Sequence, residues 1–279
     1  MSGPRRLLSD LTYGWIRATG NAGGLRMLMY HRVTDAHPDE RLCVRVRAFS
    51  EQMRLLRAEG YRTVTFEQAV AVAQGKWMAP ARSIALTFDD GFEDNYQFAF
   101  PAMAEYDFSG CFFLPSAFIL SGVSGRAAPD RPMTWKQIHE IAKQGHEIGS
   151  HSVSHRKLTL LPLADAEWEV RTCKDAIEQG AGKPVKFFCY PAGAYNPAIR
   201  DAVKAAGYAG ACSVKPGPVR AGQDPFGLQR TEISGFDSLD DFRKKLAGAY
   251  DWMHAAVQFS QGLRKPRECA NAMPVERSS

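Results

Sequence analysis

Short apolar runs alternate with amphipathic segments along most of the chain. The apolar runs predict strands over residues 25–30, 83–88, 110–115, 146–150, 186–190, 208–214 and 228–233. Segments with apolar residues every three or four positions predict helices over 47–59, 134–145, 164–179 and 196–207, and helices beginning near residues 65 and 238. Capping-box pairs support two of these starts, Thr65 with Gln68 and Thr134 with Gln137.

The repeated strand and helix units predict a parallel sheet with helices outside, either an open doubly wound sheet or a barrel. About seven such units favour an α/β barrel, which a chain of 279 residues is long enough to form. Residues 121–132 and 215–227 are expected to be insertions over the rim. The last 20 or so residues are expected to form a loose tail.

Composition narrows the function classes only slightly. The formal charge of +5 is spread in small groups, which gives little support to nucleic-acid binding. The six cysteines include no CxxC pair, so we expect neither a disulfide framework nor a thiolate zinc site, and a reduced, cytoplasmic setting fits best. No window approaches the ~20 apolar residues of a membrane span, and the N-terminus lacks the apolar core of a signal peptide.

Residues 1–20 carry an amphipathic pattern with two interpretations. Four apolar residues could share one helical face beside three basic ones: Leu7, Leu8, Leu11 and Trp15 with Arg5, Arg6 and Arg17. Such a face would suit peripheral contact with a membrane. A helix packed on its own domain is the favoured interpretation, because such stripes usually face a core.

Two adjacent carboxylates, Asp89 and Asp90, follow the apolar run 83–88. They are therefore expected at the C-terminal end of a buried strand, where α/β folds gather catalytic groups, and Gly91 permits a tight turn there. By itself such a pair would be explained by one helix cap and one solvated side chain. A functional interpretation depends on partners elsewhere in the chain.

The main partners are His151 and His155, which begin where the predicted strand 146–150 ends. On one helical turn, a spacing of four residues places two imidazoles on the same face, as a divalent metal site requires. Two histidines and one carboxylate supply three ligands to zinc and leave a position open for water. One aspartate would then coordinate the cation, while the other would accept a proton from the water.

The motifs TFDDG (87–91) and HSVSH (151–155), followed by FCYPAGAY (188–195), resemble the polysaccharide deacetylases with a NodB homology domain, also called carbohydrate esterase family 4. The resemblance spans roughly residues 25–245 and implies a distorted (β/α)7 barrel that hydrolyses N-acetyl groups of amino sugars. It implies that Asp89 is the catalytic base and that Asp90, His151 and His155 bind one divalent ion, expected to be Zn²⁺. We accordingly divide the chain into an extension (1–24), a deacetylase domain (25–250) and a tail (251–279).

The third motif of that family, RxPY, is altered in this chain. Cys189 stands in place of the arginine and Ala192 in place of the tyrosine. We expect Tyr190, Pro191, Ala192 and Tyr195 to line the oxyanion and substrate position, since the backbone NH of Ala192 needs no side chain for this role. Arg230 is expected to orient the base instead of the missing arginine, the alternative being an ordinary surface ion pair.

The family's usual LxH motif, which supplies a general acid, is not found after Arg230. His31 in LMYHRV resembles the YH element of the exopolysaccharide-biosynthesis subgroup, in which an N-terminal histidine takes the acid role. The alternatives are that Tyr30 and His31 only close the barrel, or that His254 is the acid. Tyr96, Trp135 and Tyr195 are candidate platforms for a sugar ring, although Trp135 is expected in the core.

The expected substrate is therefore an N-acetylated amino-sugar glycan or a lipid-linked oligosaccharide met in the cytoplasm, and residues 1–20 are a candidate segment for peripheral membrane contact. Two alternatives stay open at the level of sequence. The barrel could bind glycans without catalysis, or it could hydrolyse another C–N or ester bond.

Overall fold

A computed structural model describes residues 9–14, 23–122 and 130–251. The strands in these ranges are β1 (Arg26–Tyr30), β2 (Arg32–Val33), β3 (Cys43–Val44), β4 (Arg62–Thr63), β5 (Ser83–Phe88), β6 (Gly110–Leu114), β7 (Glu147–Ser150), β8 (Phe187–Cys189), β9 (Gly210–Cys212) and β10 (Thr231–Glu232). The α-helices are α1 (Val46–Ala58), α2 (Phe66–Ala73), α3 (Phe100–Ala104), α4 (Ser116–Leu120), α5 (Trp135–Lys143), α6 (Leu163–Ala181), α7 (Pro197–Ala205) and α8 (Leu239–Ala247).

The main sheet is parallel throughout, with the strand order β10-β1-β5-β6-β7-β8-β9. The short strand β4 adds to the start of β5, and β2 pairs with β3 outside this sheet. Seven strands with helices between them confirm the distorted (β/α)7 barrel predicted from the sequence.

Residues 228–232 join the two ends of the curled sheet. Leu228 forms a parallel bridge with Cys212 of β9, while β10 pairs with β1 at Leu28 and Met29. The Leu228 amide donates to the Ala211 carbonyl at 2.9 Å, and the Leu228 carbonyl accepts from the Ser213 amide at 2.9 Å. One short segment therefore closes the barrel.

Alternate residues of each strand enter two different cores. One set packs inside the barrel against α2: Met27, Ala85, Cys111, Phe113, Phe187, Cys189, Cys212 and Leu228. The other set packs against the outer helices: Leu28, Tyr30, Leu86, Phe88, Phe112, Leu114 and Phe188. Because both faces are buried, the strands appear in the sequence as continuous apolar runs.

The predicted helices are present with small shifts of their ends, and both predicted capping boxes form. Helices of five residues or fewer were not predicted. They include α3, α4 and the π-helix Asn95–Ala99, which begins just after the DDG turn. Such elements are too short to show a periodic pattern.

Several predictions fall on residues outside the described ranges. These are most of the N-terminal face, His254, the tail from 252 onward and the part of the rim loop at 123–129. Of the predicted N-terminal stripe only Leu11 is described, and it is 64% exposed. Among the described helices, none combines the length and apolar character required to cross a membrane.

Candidate active site

The candidate site lies at the C-terminal ends of the barrel strands, and the strand alternation explains why its side chains meet. His31 continues the inward series after Met27 and Met29 of β1, just as Asp89 follows Ala85 and Thr87 of β5. His151 and Cys189 take the corresponding inward positions at the ends of β7 and β8. Because successive side chains of a strand point to opposite faces, groups that are far apart in sequence meet in one layer at the top of the barrel.

Asp89 is 1% exposed and forms a bidentate ion pair with Arg230. The Nη1 and Nη2 atoms of Arg230 donate to Oδ1 and Oδ2 at 2.7 and 2.8 Å. Burial would raise the pKa of Asp89, but the charge and hydrogen bonds of Arg230 outweigh it and hold the pKa below its usual value. The Asp89 carboxylate is therefore ionised at neutral pH.

Arg230 is itself completely buried and has a full set of partners. It donates to Thr87 Oγ1 at 3.1 Å and to the Ser213 carbonyl at 3.0 Å. Its Nη2 also lies 3.0 Å from Cys189 Sγ, and that thiol lies 3.5 Å from Asp89 Oδ2. The guanidinium that pairs with Asp89 thus comes from residues 228–232. It lies beside Cys189, the position at which the RxPY motif has its arginine.

Asp90 turns away from Asp89 because the chain changes direction here. Its φ is +72° and that of Gly91 is +69°, and aspartate tolerates this left-handed region better than most residues. A Cβ atom at Gly91 would lie 2.9 Å from Leu114 Cδ2 and 3.0 Å from Ile119 Cδ1. The left-handed φ thus favours glycine at 91, and any larger residue would also displace the ends of the Leu114 and Ile119 side chains.

His151 and His155 do converge, but they do not lie on a helical turn, so that expectation is wrong. Residues 151–155 form an irregular loop in which Ser152 and His155 have φ values of +64° and +58°. The two Nε2 atoms lie 3.1 Å apart, and Asp90 Oδ1 lies 3.5 Å from the one on His151 and 3.2 Å from the one on His155. A left-handed loop thus produces the convergence for which we had invoked a helix.

A residue that was not predicted from the sequence, Glu169, holds this loop. Glu169 of α6 is 4% exposed and accepts hydrogen bonds from the amides of Val153 and Ser154, each at 2.8 Å, and from the Ser154 hydroxyl. Its position could have been noticed, because Glu169 lies between inward-facing Ala166 and Cys173 on the apolar face of the helix. A buried carboxylate on such a face needs partners.

Three neighbouring acceptor atoms make Asp90, His151 and His155 a candidate site for a divalent metal ion. The buried Oδ1 atom of Asp90 accepts no hydrogen bond within the described chain, although two imidazole nitrogens face it. His151 Nδ1 donates to the Cys189 carbonyl at 2.7 Å, which directs Nε2 at the same point. Burial opposes protonation of His151, but the neighbouring Asp90 and Asp89 carboxylates raise its pKa, so a bound cation would take the place of a proton on Nε2. Desolvation and the neighbouring His151 lower the pKa of His155 to about 4, so this imidazole is neutral and able to bind a cation.

His31 lies on the Asp89 side of the site. Its Nε2 atom is 3.9 Å from Asp89 Oδ2, and its side chain is 14% exposed. The Nδ1 atom is buried and has no hydrogen-bond partner among the described residues. Since His31 lies at the same end of the barrel as the two aspartates, it does not close the opposite end.

The 190–195 segment agrees only in part with the prediction. Ala192 is exposed in a 3-10 turn with φ +53°, and its NH forms no hydrogen bond with another described residue. Tyr190 is fully buried and its hydroxyl donates to the Phe226 carbonyl at 3.0 Å, so its side chain cannot line a substrate position. Pro191 is also buried, and partly exposed Tyr195 stacks on Tyr190 with 4.6 Å between ring centroids.

Two other predicted aromatic platforms are engaged elsewhere. Trp135 packs against the outer core, where its ring occupies the space that a Cβ atom at Gly180 would need. The Tyr96 hydroxyl donates to Glu140 at 2.8 Å, and its ring stacks on Phe100.

Comparison with known proteins finds one family model and several relatives that are similar to this chain. Residues 78–211 match the family model described as "Polysaccharide deacetylase". The Bacillus subtilis (strain 168) protein named "Putative polysaccharide deacetylase YxkH" is 27% identical over 225 residues, or 81% of this chain and 76% of that protein. The Escherichia coli (strain K12) poly-beta-1,6-N-acetyl-D-glucosamine N-deacetylase is 25% identical, over 80% of this chain but only 38% of that protein.

Solved structures share the fold. The Streptococcus pyogenes deacetylase PplD, determined with acetate, has a TM-score of 0.72 at 21% identity and is matched over 80% of this chain and 97% of that chain. IcaB from Ammonifex degensii has a TM-score of 0.70 at 24% identity, over 81% and 97% of the respective chains. The chain is therefore similar to polysaccharide deacetylases over residues 78–211, and its barrel has the same fold as these solved structures.

Proposed function

We propose that this protein hydrolyses the N-acetyl groups of an amino-sugar glycan, with Asp89 as base, His31 as acid and Asp90, His151 and His155 as metal ligands. One observation carries the proposal. A fully paired, ionised carboxylate lies next to a three-residue cluster whose buried carboxylate oxygen accepts no hydrogen bond from the described part of the chain. A hydrolase needs a fixed base and a cation at adjacent positions.

We further propose Zn²⁺ as the ion. Two imidazoles and one carboxylate are an established catalytic donor set for zinc. When bound, the ion would act as a Lewis acid towards the acetyl carbonyl and would lower the pKa of a water molecule.

Asp89 accepts the proton of the attacking water in this mechanism. Arg230 supports the role in two ways, because it keeps the carboxylate ionised and fixes both of its oxygens. The hydroxyl oxygen adds to the acetyl carbon, and the exposed NH of Ala192 is available to donate to the resulting oxyanion.

His31 completes the reaction by giving a proton to the amide nitrogen as the C–N bond breaks. The products are acetate and a free amino sugar. His31 Nε2 lies only 3.9 Å from Asp89 Oδ2, so base and acid face the same small volume. Among the aromatic residues predicted to contact a sugar ring, Tyr195 remains a candidate, because it is partly exposed and belongs to the 190–195 segment.

The substrate class comes from the relatives. The E. coli relative is named for a β-1,6-linked N-acetylglucosamine polymer, and we propose a related N-acetylated glycan here, in exopolysaccharide or cell-envelope synthesis. A lipid-linked precursor, a cytoplasmic location and membrane contact through residues 1–20 are further parts of this proposal. They rest on the amphipathic N-terminal sequence and on the five described cysteines, which are all buried and unpaired.

The first experiment measures zinc per chain in wild type, His151→Ala and His155→Ala, with His139→Ala as the control because His139 is an exposed helix residue. We expect one zinc per chain in wild type and the control, and loss of zinc in both other variants. Acetate release from N-acetylglucosamine oligomers is then measured in wild type and Asp89→Asn. Loss of turnover in Asp89→Asn with zinc retained supports the proposal, whereas a wild type that binds no added zinc contradicts it.

A further inference from the structure

An apolar pocket of about 180 Å³ opens directly beside the candidate metal centre. Two of its wall residues, Asp90 and His155, belong to the metal cluster. The other wall residues are Phe92, Pro115, Ala117, Phe118, Val153 and Ser154. None of these six belongs to the residues predicted from the sequence to contact substrate.

The walls of this pocket are fixed by the loops that form the metal site. The amides of Ser116 and Ala117 donate to the carbonyls of Ser152 and Val153 at 3.1 and 3.0 Å, which ties the start of α4 to the histidine loop. On the other side, the Arg32 guanidinium lies 4.1 Å from the centre of the Phe92 ring. The pocket is thus a preformed part of the site.

The aromatic wall consists of Phe92 and Phe118, whose ring centroids are 5.0 Å apart in an edge-to-face arrangement. Apart from the two metal-cluster residues, Ser154 is the wall residue with a polar side chain. Its hydroxyl already donates a hydrogen bond to Glu169. A sugar ring would bring several hydroxyl groups that find no partners here, and unpaired polar groups are costly to bury. An alkyl chain has no such requirement.

The volume also exceeds the need of an acetyl group. An apolar cavity of about 150 Å³ can hold a benzene molecule, whereas an acetyl group offers a single methyl. Filling the remaining space with methylene groups would gain free energy through the hydrophobic effect.

We infer that this pocket receives the alkyl part of the substrate's acyl group, so that the centre accepts N-acyl chains longer than acetyl, such as propionyl and butyryl. The inference rests on the proposed function, because it assigns the acyl carbonyl to the adjacent metal position. It adds an acyl-chain specificity that Phe92, Ala117, Phe118 and Val153 determine.

Alkyl hydroxamates test this inference without any sugar. Their head group chelates zinc, while the alkyl chain can be lengthened one methylene at a time. Binding of acetohydroxamate, propionohydroxamate and butyrohydroxamate to the zinc-loaded protein is measured by calorimetry. We expect Kd to fall about fourfold per added methylene, the ratio that full burial of a methylene gives.

Ala117→Leu provides the matching variant, because the larger side chain would fill the pocket. We expect it to retain zinc and acetohydroxamate binding but to lose the dependence on chain length. Ala198→Leu is the control, since Ala198 is an exposed residue of α7.

The outcomes separate the two proposals. Acetohydroxamate that binds wild type with no gain in affinity for longer chains overturns the acyl pocket and leaves the proposed function standing. If the protein binds no zinc, or binds zinc but no hydroxamate, the metal centre of the proposed function fails and the acyl pocket fails with it. The wild-type series alone decides the inference if Ala117→Leu does not fold.

Discussion

The two halves of the active site satisfy their polar groups in opposite ways. Asp89 and Arg230 are both buried, and each oxygen of the aspartate faces a guanidinium nitrogen. Asp90 lies one residue away, yet its buried Oδ1 accepts no hydrogen bond within the described residues and faces two imidazole nitrogens. The complete set of partners holds Asp89 in place, while the unpartnered oxygen of Asp90 supports the proposal that a cation binds there.

The largest expected difference between the halves is in the stability of metal-free protein. Asp89→Asn leaves the buried Arg230 charge uncompensated, which should cost about 3–5 kcal/mol. The imidazoles around Asp90 lower its pKa against the effect of burial, but they can release their protons, so Asp90→Asn leaves no permanent charge uncompensated and should cost less, about 1 kcal/mol. Urea unfolding of chelator-treated proteins measures both values, and equal losses would refute the contrast.

Arg230→Lys tests whether the ion pair with Arg230 sets the pKa and the position of Asp89, the proposed base. Lysine keeps the charge but loses the bidentate fork, and we expect kcat/KM to fall by about 10². Asp89 acts as a base only when ionised, so activity falls as pH drops through its pKa. Because Arg230 lowers that pKa, its replacement should move this acid limb to higher pH.

The control is Arg200→Lys, since Arg200 belongs to a partly exposed pair with Asp224. Its pH profile should match that of wild type. A fall in activity for Arg230→Lys with no movement of the acid limb would assign Arg230 a structural role only.

Glu169→Gln should have the smallest effect of the three, and that effect should be limited to metal binding by Asp90, His151 and His155. One oxygen that accepts from the histidine loop becomes an NH₂ group, so zinc affinity should fall by about tenfold. A competition assay with a chromophoric chelator measures this, with Glu167→Gln on the same helix as control. Unchanged zinc affinity, or a displaced acid limb, would show that Glu169 does not act through the histidine loop.

The sequence was most informative where periodicity and motif coincide. The inward series of β1 and β5 end at His31 and Asp89, so strand alternation is enough to predict that these residues meet. Arg230 was found because it occurs within an apolar run aimed at the same rim. The His151 and His155 pair was recognised from its spacing, although the backbone that joins the two residues was predicted incorrectly.

The remaining features depend on tertiary contacts that no local pattern records. Left-handed φ values at Ser152 and His155 are stabilised by Glu169, which lies on a different element. Tyr190 was assigned to the substrate position because its segment aligns with the RxPY motif. Its ring is in fact buried, and its hydroxyl donates to the Phe226 carbonyl. The acyl pocket arises from loops after β5, β6 and β7, and only their packing creates it.

The closure of the barrel by residues 228–232 has a consequence for how the protein is made. Arg230 lies 141 residues after its partner Asp89, directly before β10, which is the last strand of the main sheet along the chain. A nascent chain that extends only as far as β9 contains Asp89 but not yet Arg230, and the edges of its sheet at β1 and β9 have no β10 segment to join them. The Asp89–Arg230 ion pair therefore forms only when the most distant strand pairing of the barrel forms, so on the proposed function the supported base and the closed sheet are completed together.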